Sequence, residues 1–513
     1  MFKLAWLFLI FLFLLLTRKQ NAVIILLTEK QYRDKKENNI MKDHRKVERL
    51  PKAMLAASWA IALGAIAPML DSTMVNIALD TLIKDFNTTL AILQWSVTGY
   101  VLALAIAVPI SGWLMNQFNG KRIFIGAVIA FGLLSFLIGF SWNVYSFIIL
   151  RLLQGFSAGI ITTLMMTLLV KTAGQENLGR VMAIVSTPII LGPILGPVLG
   201  GFIVQGASWH WIFFINIFIV LIAVPLMLKF IPPFEPFNKQ SKLDVFGILT
   251  LALMSIALIY GITKAADEAS FNNKQTILWL SIGIILIVVY VSYNKIRKNQ
   301  TVLPLSLFKH KTYLAASSGL FLANIAIMGP MLILPLFFIT IHQFTPSQAA
   351  LALMPQGIGM LVTRPLIGKL IDKIGAKYVV LVSLAIALIG SIPLVFITAN
   401  TSMVWIVILL FIRGTSFGGI NLPLMSDAYT GLSSKQLPEA GVGITIIENL
   451  GASFGTALIA TSVATMMQGL QPTLIAELKS YQAGFLISAV VLVLIFIPSV
   501  FLTNKRKAVT GDS

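Results

Sequence analysis

"LGPILGPVLGG", residues 191–201, sets four glycines and two prolines inside a stretch that otherwise reads as a membrane helix. Gly192, Gly196 and Gly200 recur at every fourth residue, which puts them on one helical face. A face without side chains lets a neighbouring helix come close, as small-residue faces do in membranes. Pro193 and Pro197 each remove a backbone donor and can bend a helix, and buried neighbours can satisfy the freed groups. The spacing predicts a bent, tightly packed span. Ordinary close packing without a mechanistic role is the plainer reading of the same residues.

The rest of the chain supports a membrane setting. It has 513 residues, 57% of them apolar and only 11% charged, with a mean hydropathy of +0.90. Soluble domains do not have this composition; polytopic membrane proteins do. A helix needs about 20 apolar residues to cross roughly 30 Å of hydrocarbon, and such runs recur throughout. The sequence predicts fourteen spans, starting near 54, 93, 123, 145, 181, 211, 245, 276, 313, 347, 378, 403, 441 and 482. With residues 41–53 placed inside, the inner segments hold 24 Lys and Arg, Lys121 and Arg122 among them. The outer loops hold only Lys84, Lys264, Lys274 and Lys479. That is a positive-inside pattern with both termini of the core in the cytoplasm. It accounts for the formal charge of +19 without nucleic acid as a partner.

Several chemistries are excluded. There is no cysteine, and the four histidines are scattered without ligand spacing, so no metal site or thiol chemistry is expected. No GxxxxGK[ST] phosphate loop occurs, and no loop is long enough to fold as a domain. No cofactor is expected and an enzyme is not. Residues 1–40 are a separate matter: "FKLAWLFLIFLFLLL" is short for a span, is followed by Arg18 and Lys19, and lacks a small-residue cleavage site. Either translation starts at Met41, or this extension is an additional interfacial or spanning segment.

Two inner loops resemble each other: "GWLMNQFNGKR" from Gly112 and "GKLIDKIGAK" from Gly368. Near-repeats at corresponding points of two halves are how many secondary transporters are built. The expected organisation is a cytoplasmic segment 41–53, a six-helix bundle 54–231, two linker helices 245–294, a second six-helix bundle 313–503 and a cytoplasmic tail 504–513.

Buried charges need a reason, since each costs roughly 2.5–3.5 kcal/mol at mid-membrane on insertion scales. Asp71 lies deep in span one with Asn76 after it, and Arg151 and Gln154 lie in span four. Arg364 and Arg413 lie in spans ten and twelve, and Glu448 in span thirteen. Asp244, Asp427 and Glu439 stand at span ends and read as solvated. A proton-coupled carrier needs a carboxyl group that burial and a nearby cation can tune. Asp71 has that chemistry and could also attract a lipophilic cation; alternatively it only pairs with Arg151 to hold spans together. Glu448 is a second proton or cation site, or a partner for Arg413. Arg364 is read as close to the loop, stabilising it or snorkelling to the surface. Asn76, Trp95, Tyr100, Met165 and Arg413 are candidate pocket residues, because aromatics and thioethers adapt to varied ligands.

Four stretches together carry a family resemblance: "LDSTMVNIALDTL" (70–82), "RLLQGFSAG" (151–159), "GPILGPVLGG" (192–201) and "WHWIFFIN" (209–216). The chain resembles the major facilitator superfamily in its fourteen-helix drug:proton antiporter branch, the QacA/EmrB type. The resemblance implies two six-helix bundles with two extra central helices, in the bacterial plasma membrane. It implies proton-driven efflux of lipophilic, cationic drugs, or a dedicated exporter of one lipid, metabolite or antibiotic by the same mechanism. Partners would be a small-molecule substrate, protons and the bilayer, with an accessory adaptor left open. Arg151 resembles the family's fourth-helix arginine, which modulates the proton site, and Gly192, Gly196, Pro197, Gly200 and Gly201 match its antiporter signature. The gate loops would comprise Gly112, Asn116, Lys121, Arg122, Arg364, Gly368 and Asp372. Here the first loop departs from the pattern: Asn116 replaces the aspartate, and Asn119 and Gly120 are also irregular, which predicts a weaker charge interaction in that half.

Overall fold

The computed structural model describes residues 50–174, 177–239, 243–298, 300–467 and 474–504, and is all-helical among them. The N-terminal readings fall outside these residues, as do the side chains of Asn76 and Pro197. Contacts group Pro51–Thr401 with Trp405–Ser513 as one compact unit, and the packing described below is that unit's.

Its long helices are α1 (Lys52–Asp85), α2 (Trp95–Gln117), α3 (Gly120–Ile138), α4 (Val144–Ala173), α5 (Leu178–Gly206), α6 (His210–Phe230) and α7 (Val245–Asp267). They continue as α8 (Lys274–Ile296), α9 (Lys311–Thr340), α10 (Pro346–Ile374), α11 (Ala376–Ser391), α12 (Met403–Ala428), α13 (Leu437–Met467) and α14 (Leu474–Leu494). Twelve helical segments are long and apolar enough to cross a membrane. Two further helices of 29 residues each, α5 and α10, lie where spans five and ten are expected. The largest displacement is at α14, which starts at Leu474 rather than near 482. Polar residues at its start, Glu477 and Lys479, hide the first two turns from a reading based on apolar runs.

Local chemistry sets several helix starts. Asn143 and Ser146 form a reciprocal capping box at α4, as Thr345 and Gln348 do at α10. Asn119, irregular in sequence, caps α3 by accepting from the Arg122 amide at 3.3 Å. Asp244 is not solvated: it is buried, accepts from the Gly247 amide at 2.9 Å and takes the Tyr293 hydroxyl at 2.6 Å. Asp427 is buried as well and accepts from the backbone and hydroxyl of Thr503. Both carboxylates stand at helix ends, where backbone amides and hydroxyls replace water as donors.

The packing repeats itself eight helices apart. α1 packs on α5 and α6, and α9 packs in the same manner on α13 and α14. The repetition is visible at single glycines. A Cβ on Gly192 would lie 2.7 Å from the Met69 carbonyl, and one on Gly451 would lie 2.7 Å from the Phe321 carbonyl. One on Gly155 would fall on the Tyr100 carbonyl, and one on Gly414 on that of Gln356. Glycine is what lets these backbones meet. α7 contacts α2 and α13, while α8 leans on α7 and is the least enclosed of the spans. α5 runs unbroken through the glycine and proline stretch.

Gly155→Val should therefore destabilise the fold by about 1–3 kcal/mol, since a carbonyl cannot give way as a side-chain tip can. Gly126 lies inside α3 with nothing within 4 Å of its would-be Cβ, so Gly126→Ala should be neutral or stabilise by up to about 1 kcal/mol. Thermal unfolding in detergent, followed as loss of the monomer peak, checks both; equal stability of the two variants would contradict the packing.

Candidate functional site

The site grows from the residues that bring α1, α3, α4 and α6 together. α6 begins "HWIFFINIFIV", and Trp209, Phe213 and Asn216 share its inward face at the i, i+4, i+7 spacing. Trp209 donates its indole N–H to Asp85 at 2.7 Å, tying the start of α6 to the end of α1. Phe147, Phe213 and Trp209 pack edge to face beneath. Below that aromatic layer lies a polar cluster closed to solvent.

Asp71 is 0% exposed and Arg151 1% exposed, and the two form an ion pair between α1 and α4. Asn216 donates to Asp71 Oδ1 at 3.0 Å and to the Ser135 hydroxyl at 3.0 Å. Arg151 donates to Gln154 Oε1 at 2.6 Å, and Gln154 donates to Ser135 at 2.6 Å. The guanidinium carbon of Arg151 lies 4.2 Å from the centre of the Tyr100 ring and 5.9 Å from that of Phe213. Two opposite charges thus sit dry among neutral donors and acceptors from four helices. Such a cluster is sensitive to any change in the charge of its members, because nothing but the partner compensates each ion.

Asp71, Arg151 and Tyr100, which sequence reasoning named, meet here. Asn216 and Ser135 were missed as members, although a lone asparagine in an apolar run is itself a signal of buried polar work. Met165 is buried within α4. Trp95 is 48% exposed, stacks on Tyr260 and lines an outward groove of 590 Å³ with Tyr145 and Leu152. It faces away from the bundle interior, because the first turn of α2 presents Ser96, Gly99 and Tyr100 inward instead.

Gly192, Gly196 and Gly200 meet α1 at Met69, Thr73 and Met74, while Gly201 has nothing within 4 Å. The glycine face therefore covers α1 at levels on either side of Asp71. Thr73 donates to the Gly192 carbonyl at 3.1 Å, which fastens the two helices directly.

The two halves also meet at the end that carries the basic loops. Asp372 accepts from the Gly179 amide at 2.9 Å and the Arg180 amide at 3.2 Å, and pairs with the Arg180 side chain at 3.1 Å. A carboxylate from the end of α10 thus caps the N-terminus of α5, where the helix dipole favours negative charge. A Cβ on Gly368 would lie 2.8 Å from the Gly179 carbonyl, so glycine permits that approach. At the corresponding place α2 meets α13, and a Cβ on Gly112 would lie 2.7 Å from the Val442 side chain. Asn116 is buried there with its Oδ1 unpartnered among the described residues. Instead the segment after α6 straps this loop: Phe237 and Asn238 donate amides to the Met115 and Asn116 carbonyls, and Gly120 donates to Phe234. Lys121 donates to the Leu228 carbonyl at 2.7 Å and Lys171 lies 4.1 Å from the Phe237 ring centre.

Three further charges differ from the sequence reading. Arg364 is 5% exposed, three turns before the end of α10, with Nε and Nη1 unpartnered, so it neither snorkels nor borders the loop. Arg413 donates to the Ala326 carbonyl at 3.2 Å and to Ser488 at 3.3 Å, not to Glu448. Glu448 forms no ion pair among the described residues. The Arg413 guanidinium is instead taken up by Ala326 of α9 and Ser488 of α14. Among the described residues no group of acids and histidines could hold a metal.

The sequence profile of the Major Facilitator Superfamily matches residues 61–456. A multidrug resistance protein B homolog of Mycobacterium tuberculosis is 30% identical over 415 residues, covering 80% of this chain and 76% of that protein. The multidrug export protein EmrB of Haemophilus influenzae is 27% identical over 408 residues, 79% of this chain and 80% of its own. The solved structure of human MFSD10, titled an organic anion transporter, superposes with a TM-score of 0.59 at 14% identity, covering 88% of this chain and all of that one. The chain belongs to the Major Facilitator Superfamily, and its relatives include multidrug exporters. It is a membrane transporter and not an enzyme.

Removing Arg151 alone should be costly. Arg151→Met leaves Asp71 uncompensated and should destabilise by about 3–5 kcal/mol, whereas the double variant Asp71→Asn with Arg151→Met should recover most of that loss. Thermal unfolding of the single and double variants checks the coupling, and simple additivity of the two losses would contradict it.

Proposed function

We propose that this transporter expels lipophilic cations across the bacterial plasma membrane in exchange for protons, with Asp71 as the carboxylate for which proton and cargo compete. The single observation that carries this reading is the enclosure of Asp71 in a dry cluster that spans four helices. Protonation cancels the carboxylate's charge and removes the attraction that holds Arg151. The freed guanidinium keeps Gln154 Oε1 and the Tyr100 face as partners, so the cluster has a second arrangement available. A bistable contact of this kind is what couples binding to helix movement.

The positive-inside pattern assigns the basic end to the cytoplasm. On that assignment the Asp372–Arg180 contact and the α2–α13 contact close the cytoplasmic side, and protons enter from the outer side. Asn116 leaves the α2–α13 closure without a charge and the segment 234–238 acts in its place. Glu448, which lies within α13 and forms no ion pair among the described residues, is a second place for a proton.

Ethidium efflux from cells expressing the chain from Met41 tests the reading. Wild-type efflux should stop with a protonophore and fall at least tenfold in Asp71→Asn, with Glu448→Gln milder. Efflux that persists in Asp71→Asn sinks the role given to that carboxylate. Absence of efflux from protein shown to be in the membrane would instead favour a dedicated exporter, which a metabolite comparison of deletion and parent strains would reveal.

A further inference from the structure

The matching of the two halves shows where they differ in charge. Gly192 and Gly196 meet α1 at Met69 and Thr73, and Gly451 and Gly455 meet α9 at Phe321 and Ile325. By that register Ala323 holds the place of Asp71. Gly155 meets Tyr100 and Gly414 meets Gln356, so Arg413 holds the place of Gln154 and Leu410 that of Arg151. On α14, Tyr481, Phe485 and Ser488 repeat the spacing of Trp209, Phe213 and Asn216. The second half thus keeps the polar socket, replaces its carboxylate by a methyl group and moves its cation one turn along the helix.

Arg413 is 1% exposed and has neutral partners only: the Ala326 carbonyl, the Ser488 hydroxyl and the Phe417 ring at 4.8 Å. Its Nε and Nη1 have no acceptor among the described residues. Ser488 in turn donates to Ala326 at 2.8 Å, which holds the socket in shape. Gln356, whose backbone abuts Gly414, has its Oε1 unpartnered, and Arg364 is a second buried cation two turns further along α10. The acidic residues nearby are engaged or distant from this socket: Asp372 binds Arg180, Asp427 binds Thr503, and Glu448 makes no bond to either arginine. Nε and Nη1 lie on different edges of the guanidinium, so each offers a single charged donor that an anion's oxygen can take. An isolated guanidinium in an apolar bundle is costly to maintain unless an anion meets it at some stage of the cycle.

We propose that Arg413 is an anion-accepting subsite in the second half, and that the molecule carried bears a carboxylate as well as a cationic, apolar body. The first half then faces the cation of the cargo with Asp71, and the second faces its carboxylate with Arg413. The inference rests on the exporter reading for the nature of the cargo, but its test is a binding measurement that needs no transport.

Norfloxacin and its ethyl ester share one cationic body and differ in the carboxylate. Binding of each to the purified full chain in nanodiscs, measured by ligand-induced thermal shift and tryptophan quenching, should favour the acid by roughly tenfold in wild type. Arg413→Lys should keep a preference for the acid. Arg413→Met should bring the acid to the level of the ester. Equal affinities of acid and ester for wild type, or no binding of the acid, would overturn the subsite. Should Arg413→Met fail to fold, wild type and Arg413→Lys decide the matter. Loss of ethidium efflux in Asp71→Asn together with equal acid and ester binding would retain the exporter and discard the subsite.

Discussion

A carboxylate and a guanidinium that water cannot reach govern the first half of this protein. Asp71 and Arg151 compensate each other, and Asn216, Ser135 and Gln154 satisfy what the pair leaves over. Because those residues come from α1, α3, α4 and α6, the pair fixes the mutual placement of four helices. Stability alone does not require it. An apolar set of similar volume would hold such helices about as well, since desolvation offsets most of the attraction between buried ions. The charges are therefore better read as the part of the molecule that changes state.

The second half is built on the same backbone contacts but differs in its charge. Where α1 offers Asp71, α9 offers Ala323, and where α4 offers Gln154, α12 offers Arg413. Gene duplication followed by divergence is one way to obtain this pattern; the physical consequence is the same whatever its origin. The first socket holds a carboxylate paired with a guanidinium, and the second holds a guanidinium with neutral partners. The contacts at the basic end diverge as well. Asp372 uses charge on the α5 dipole, whereas Asn116 has only its carbonyl engaged and relies on the strap after α6. The α2–α13 contact is thus held by packing and the α5–α10 contact by electrostatics, so salt and charge substitution bear mainly on the second.

The span order was legible because apolar runs and basic loops alternate strictly, and both follow from the bilayer rather than from tertiary contacts. The glycine face of α5 was legible for a related reason: its four-residue spacing has one helical meaning. Side-chain partnership was not. Asp71 and Arg151 are 80 positions apart, and nothing local to either says that Asn216 completes the cluster. Asp244 and Asp427 read as solvated because they stand at helix ends, yet loop amides and hydroxyls from distant segments enclose them. Arg364 read as a loop residue because α10 extends well beyond an average span, to Ile374. In each case the missing information was which remote segment folds over the residue.

The glycines at 192, 196 and 200 have their reason in the same geometry. They bring α5 against α1 at Met69, Thr73 and Met74, above and below the level of Asp71. Asp71 points to the other side of α1, toward α4 and α6. With α5 pressed on its back and the cluster closed on its front, the carboxylate has no wet route in this arrangement. On the antiport reading that seal is what makes exchange obligatory. A proton that could slip past Asp71 without a change of packing would dissipate the gradient and drive nothing. Any side chain at Gly196 would collide with Thr73 and hold the helices apart, leaving room for water beside α1. On that reading the helix-breaking residues are tolerated in a span because close approach at this depth is worth more to coupling than helix propensity is to the span.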